Sequence, residues 1–200
     1  RYSRMTRKRR RAQVRRRILG TAGVVILCVL GLSFGIRRLA GIGQRGPVDI
    51  QADTTSVQWE GAPPINVELL TPNEWSRPQI ALEQIDGIVV HFTANPGSTA
   101  QQNHDYFEGL KDSQSTKASS HFIIGLDGEV IQCIPSSEWA YASNDRNRDT
   151  LSIECCHPDE SGQFTDATYQ SLVQLTGWLC HRFDLSAEDV IRHYDVTGKD

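Results

Sequence analysis

Residues 85–93 read Ile85-Asp86-Gly87-Ile88-Val89-Val90-His91-Phe92-Thr93, a short run rich in Ile and Val that ends on a histidine. β-branched residues suit a pleated, buried strand, and the run is too short for a typical helix. It reads as a central strand. Working outward, Thr150-Leu151-Ser152-Ile153-Glu154-Cys155 reads as a second buried strand. Asp127-Gly128, flanked by the apolar residues 120–126 and 129–134, is a strong hairpin signal. Residues 98–110 carry Asn103, Tyr106, Phe107 and Leu110 at helical spacing. Residues 166–183 form the clearest amphipathic helix, with Tyr169, Leu172, Val173, Thr176, Leu179, Cys180 and Phe183 on one face. Thr71-Pro72-Asn73-Glu74 reads as a capped turn or short helix, and Ser186 followed by Asp189 opens another toward Ile191. Strands mixed with helices and one hairpin predict an α/β fold: a mixed central β-sheet covered by helices.

Charge divides the chain. Through Arg45 there are 13 Lys/Arg and no acid, whereas from Gly46 onward 8 basic face 24 acidic residues. The whole-chain net of -3 therefore averages two unlike regions. An acidic folded part argues against a nucleic-acid partner, which would need a basic footprint.

Residues 18–36, ILGTAGVVILCVLGLSFGI, hold 19 uncharged positions. As a helix they would span roughly 28 Å, close to a bilayer core. The expectation is one N-terminal transmembrane helix acting as a signal-anchor. A cleaved signal peptide is the rival, but Ser33-Phe34-Gly35 is a poor small-x-small exit. The arginine-rich residues 1–17 would then be a cytoplasmic tail, with the remainder of the chain outside. Residues 37–66, rich in Gly, Pro, Asp, Thr and Gln, would be an extracellular linker to a domain at residues 67–200. Gly31 and Gly35 form a small-xxx-small pair that could support a weak homodimer within the membrane. Outside the span lie Cys133, Cys155, Cys156 and Cys180. They allow three complete pairings among which the sequence does not choose, and they read equally well as buried small apolar residues. Cys155 and Cys156, adjacent in a strand, would point to opposite faces.

Two histidines stand at element ends. His91 closes the first strand, and His193 follows the short element opened by Ser186. A lone histidine at a strand end is usually structural, and a separation of about a hundred residues is weak evidence of a metal site. Glu154 is more pointed. It interrupts an otherwise apolar strand, and a buried carboxylate needs either a basic partner or a chemical role.

Residues 67–200 resemble the zinc-dependent N-acetylmuramoyl-L-alanine amidases, the family of the amidase-type phage lysozymes, related to peptidoglycan recognition proteins. The marks are Ile88-Val89-Val90-His91-Phe92-Thr93-Ala94, Ser120-His121-Phe122-Ile123-Ile124 with its Asp127-Gly128 turn, Ala140-Tyr141-Ala142, Asn147 through Glu154, and His193-Tyr194-Asp195-Val196-Thr197-Gly198-Lys199-Asp200. The resemblance implies a Zn2+ cofactor held by His91 and His193. It implies a third ligand, a Cys or Asp, just beyond Asp200. It implies Glu154 as general base and Lys199 as oxyanion stabiliser. His121, Tyr141 and Asn95 would line the substrate groove or stand behind it. Ser120 stands where some relatives place a catalytic tyrosine, and Tyr141 where many have a histidine. The expected function is hydrolysis of the bond between N-acetylmuramic acid and L-alanine in peptidoglycan. The alternative is a non-catalytic peptidoglycan-binding receptor with the same fold. With the anchor, either would sit on the outer side of the cell membrane, as in a Gram-positive bacterium.

Overall fold

The computed structural model describes residues 56–57 and 59–198. Seven strands form one mixed sheet: β1 Ser56–Val57, β2 Ile65–Val67, β3 Gly87–Phe92, β4 Phe122–Ile124, β5 Val130–Gln132, β6 Thr150–Cys155 and β7 Val190–Arg192. Their spatial order is β1-β2-β5-β4-β6-β3-β7. β6, β3 and β7 run parallel, as do β4 with β6 and β2 with β5, while β4/β5 and β1/β2 are antiparallel. The sheet thus begins ahead of Val67, because β1 and β2 extend it beyond β5.

Alternation within the strands builds two cores. Phe122, Ile124, Leu151, Ile153, Cys155 and Ile88 pack with Leu172, Leu175 and Leu179 of helix α2, Asp166–Phe183. Ile123, Ile131, Cys133 and Cys156 pack on the other side with Ala100, Phe107 and Leu110 of helix α1, Ala100–Ser113. Cys155 and Cys156 do lie in opposite cores. All four described cysteines are free thiols, and burial pushes the thiols of Cys133, Cys155 and Cys156 up.

The helices start where side chains can replace the missing backbone partners. Thr99 and Gln102 make a reciprocal capping box at α1, and Thr165 Oγ1 accepts from Thr168 N at α2. The limits of α2 match the sequence reading, but its buried face is Thr168, Leu172, Leu175 and Leu179, with Tyr169 and Val173 more than half exposed. In α1 His104 joins the buried face, whereas Tyr106 is exposed. At residues 71–74 no helix forms. Asn73, not Thr71, closes the turn, its Oδ1 accepting from Trp75 N and Ser76 N. Thr71 instead donates from N and Oγ1 to the Glu108 carboxylate on α1. Ser186 and Asp189 do form the expected box, around the single 3-10 turn Ala187–Asp189 that leads into β7.

The expectation of a transmembrane helix ahead of the sheet is corrected. Among the described residues no helix is long and apolar enough to cross a membrane. α2 has 18 residues, but Gln170, Gln174, His181 and Arg182 give it an exposed polar face. The run at residues 18–36 lies outside the described residues. The described residues form the α/β sheet domain, and no membrane-spanning helix is among them. The signal-anchor, the membrane as partner, the Gly31/Gly35 contact and the single-pass, extracellular placement are withdrawn with it.

Gly128 ties the β4–β5 hairpin to α2. It has φ +83, and an added Cβ would lie 2.8 Å from the Ala167 carbonyl oxygen and 2.9 Å from Ser171 Oγ. Gly128→Ala should lower the urea-derived unfolding free energy by about 2 kcal/mol or more, combining backbone strain with overlap. Gly162→Ala, at φ +69 with nothing within 4 Å of the new atom, should lose only about 1 kcal/mol. Equal losses would show that the approach to α2 is not the cause.

Candidate active site

The parallel register of β3 and β6 pairs His91 with Glu154, and β7 on the other side of β3 pairs Arg192 with Val90. Side chains at the C-terminal ends of three adjacent strands thereby converge, the usual place for a site in an open α/β sheet. His193, the residue after β7, opens the short helix α3, His193–Thr197. His91 and His193 face each other with Nδ1···Nδ1 at 3.0 Å and ring centroids 4.8 Å apart. They line a cleft of about 680 Å³ together with Glu154, Tyr141, Phe164 and Tyr194.

The electrostatics follow from burial. His91 is 7 % exposed, and desolvation, with His193 beside it, lowers its pKa to about 4. It is therefore neutral near pH 7, the form that can ligate a metal. Glu154 is pushed up to about 8 by burial. Its Oε1 lies 4.0 Å from His91 Nδ1, too far for a hydrogen bond. With His91 neutral and Glu154 protonated, this proximity is not an ion pair. Oε2 of Glu154 is buried and has no hydrogen-bond partner among the described residues. A basic partner, the structural explanation open to a buried carboxylate, is absent among the described residues.

The residue set fits a zinc ion in part. Two ligands about 2.0–2.1 Å from tetrahedral zinc would be roughly 3.3 Å apart, close to the 3.0 Å between the two Nδ1 atoms. Among the described residues no group of three or more His, Cys, Asp or Glu could hold a metal ion. Lys199 and Asp200 lie outside the described residues.

The other expected residues divide. Tyr141 lines the cleft, held through its backbone by Ser119, whose Oγ accepts from Tyr141 N and whose N donates to Tyr141 O. Asn95 is exposed in the loop after β3, and its carbonyl accepts from Ser98. Ser120 is fully buried, its hydroxyl directed at Phe122 O and at Ser152, so it does not stand in for a tyrosine at the cleft. His121 is also occupied. Its Nδ1 accepts from Ser152 N at 3.0 Å and its Nε2 donates to Glu138 O at 2.9 Å. One residue went unnoticed in the sequence: buried Ser143, with Oγ 3.2 Å from His91 Nε2. A serine opening a polar turn looks like an ordinary cap, and nothing local links it to residue 91.

Comparison with known proteins gives a consistent result. Residues 81–200 match the family described as N-acetylmuramoyl-L-alanine amidase. The N-acetylmuramoyl-L-alanine amidase CwlL of Bacillus licheniformis is 36% identical over 140 residues, 64% of this chain and 38% of the relative. The chain thus spans less than two fifths of that protein's length. A mutant endolysin from Bacillus subtilis is 28% identical with a TM-score of 0.54, covering 68% of this chain and 88% of the endolysin. The structure of PlyL superposes with a TM-score of 0.58 at 24% identity, over 68% of this chain and 84% of PlyL, a likeness of fold.

The hydrogen bonds of His121 predict an acid-sensitive core. Burial lowers its pKa to about 4, below an unfolded value of about 6.5. The unfolded state therefore binds more protons between these values, and stability contributed by neutral His121 is lost as pH falls through that window. The slope from one such proton is about 1.4 kcal/mol per pH unit. NMR titration should leave His121 neutral down to about pH 5, and His121→Gln should flatten the urea-derived stability profile there. A normal His121 titration near 6.5 would contradict the assignment.

Proposed function

The chain belongs to the N-acetylmuramoyl-L-alanine amidase family, and on that premise we propose that it is a zinc-dependent hydrolase of bacterial peptidoglycan. The bond cut is the amide joining the lactyl group of N-acetylmuramic acid to L-alanine. The observation that carries this reading is the convergence, in one cleft, of two facing imidazole Nδ1 atoms and a buried carboxylate oxygen without a partner.

His91 and His193 would hold the metal, with the third ligand assigned beyond Asp200 by the family pattern. Bound zinc supplies a polarised carbonyl and water of lowered pKa, the two things amide hydrolysis lacks at neutral pH. Glu154 provides proton transfer. The charge of a cation held by the neighbouring imidazoles would draw its carboxyl down from its raised value, leaving a carboxylate oxygen able to take a proton from the attacking water. The same oxygen then hands that proton to the departing L-alanine amine. Lys199 is assigned to the developing oxyanion on the family pattern. Burial around His91 and Glu154 keeps bulk water from competing for these protons. A receptor that only binds the wall gains nothing from a desolvated carboxylate held beside two imidazoles.

Glu154→Gln in the full-length protein keeps the side chain's size and removes its basic oxygen. Release of stem peptides from purified cell wall should fall roughly 100- to 10,000-fold, while zinc content and wall binding stay unchanged. A folded, zinc-loaded variant cutting near the wild-type rate would exclude Glu154 as the base. Wild-type protein that binds wall and releases nothing at any zinc concentration would establish the receptor alternative.

The metal assignment has its own test. His91→Ala and His193→Ala should each weaken zinc binding, measured by competition with a chromogenic chelator, by at least roughly 100-fold. Unchanged affinity in either would remove that histidine from the ligand set.

A further inference from the structure

Ser143 stands at the position that opens the 3-10 turn Asn144–Arg148, where a serine hydroxyl ordinarily accepts from the turn's backbone. It makes no such bond. Asn147 ties the entry from inside the turn, its Oδ1 accepting from the N–H groups of Ala142 and Ser143. The turn is pinned in its own right: Thr150 Oγ1 donates to Arg146 O, and the Arg146 guanidinium pairs with Asp149. Capping is thus met without the Ser143 side chain. That hydroxyl, on a residue 1 % exposed, lies 3.2 Å from His91 Nε2.

We propose that Ser143 is a positioning residue that accepts the Nε2 proton of His91 and so presents a bare Nδ1 to the cleft. A neutral imidazole has one ring proton. On Nδ1 it would block the nitrogen that faces His193; on Nε2 it leaves that lone pair open. Only the second tautomer lets His91 ligate through the atom that faces the cleft, and a ligating histidine normally donates its other N–H to a fixed acceptor. In this arrangement His193 is the donor in the 3.0 Å contact between the rings. The single proton in that contact then belongs to His193 and must vacate its Nδ1 before both nitrogens can serve a cation. The turn that fixes Ser143 runs directly into β6, so acceptor and Glu154 are held by the same segment. The purpose given to Ser143 rests on the metal reading above, but its hydrogen-bond role can be measured without metal.

The test uses the full-length protein labelled with 15N-histidine. In the metal-free wild type at neutral pH, long-range 1H–15N spectra should show His91 protonated at Nε2 and bare at Nδ1. Ser143→Ala should erase that preference and Ser143→Thr, which retains a hydroxyl, should restore it. Zinc affinity by chelator competition should fall roughly 10- to 100-fold in the alanine variant and return toward wild type with threonine. A wild-type His91 protonated at Nδ1 overturns the proposal, and needs no variant to fold. So does an alanine variant with unchanged tautomer and zinc affinity. Failure of the wild type to bind zinc under any condition would defeat the metal reading separately, while the metal-free spectrum would still decide the tautomer.

Discussion

The candidate site depends on one constraint: three parallel strands, β6, β3 and β7, held in a register that ends them together. Pairing of His91 with Glu154 across the β3–β6 ladder is a backbone fact. A slip of one residue would move either side chain to the opposite face. The apolar residues on both faces enforce it, because Leu151 and Ile153 belong to the α2 core while Cys156 belongs to the α1 core. Side-chain packing several residues away therefore determines that a histidine and a carboxylate meet at the strand ends.

That placement works against stability. Burial raises the pKa of Glu154 to about 8, a shift that corresponds to several kcal/mol of lost solvation for its carboxylate, and burial with His193 alongside lowers that of His91 to about 4. Among the described residues Glu154 Oε2 lacks even a neutral hydrogen-bond partner. Elsewhere the protein shows how it treats polar groups whose task is structural. The Arg77 guanidinium makes two bonds to Glu138 and one to Leu70 O, and His121 has both nitrogens occupied. Glu154 lines the cleft, whereas Thr93 Oγ1 and His157 Nε2, also buried without a partner among the described residues, belong to residues outside its lining.

Much of the fold was legible in the sequence because its signals are local. The Ile/Val run before His91, the Asp127-Gly128 turn and the residue 166–183 helix each carry their own pattern. What failed was phase and partner choice. Tyr169 and Val173 look as apolar as Leu175, yet the α2 face that meets the sheet is set by Leu172, Leu175 and Leu179. Thr71 looked like a cap because Pro72 and Glu74 follow it, but Glu108, 37 residues away, claims its hydroxyl. In the site, the pairing of His91 with Glu154 and His193 came through family resemblance; spacing alone would have left both histidines structural. Ser143 was invisible for the same reason, since its partner lies 52 residues earlier in the chain. The membrane expectation read an uncharged run and its basic flank, and no described helix is long and apolar enough to bear it out.

The elements that complete the site differ in how firmly they are held. β3 and β6 pair over six residues inside the sheet's edge and bury most of their side chains. β7 pairs with β3 over three residues at the sheet's edge, and none of its side chains is fully buried. α3, which carries His193, is one short helix with no buried residue. One half of the candidate ligand pair is therefore built into the core, and the other sits on an edge that few contacts retain. Such an edge belongs to the low-stability end of a fold, where opening costs least. On the proposed reading, a cation shared by His91 and His193 would bind only when β7 is docked, and its binding free energy would add to the stability of that edge. Site assembly and edge docking are then the same equilibrium, with the rigid His91–Glu154 pair as its fixed half.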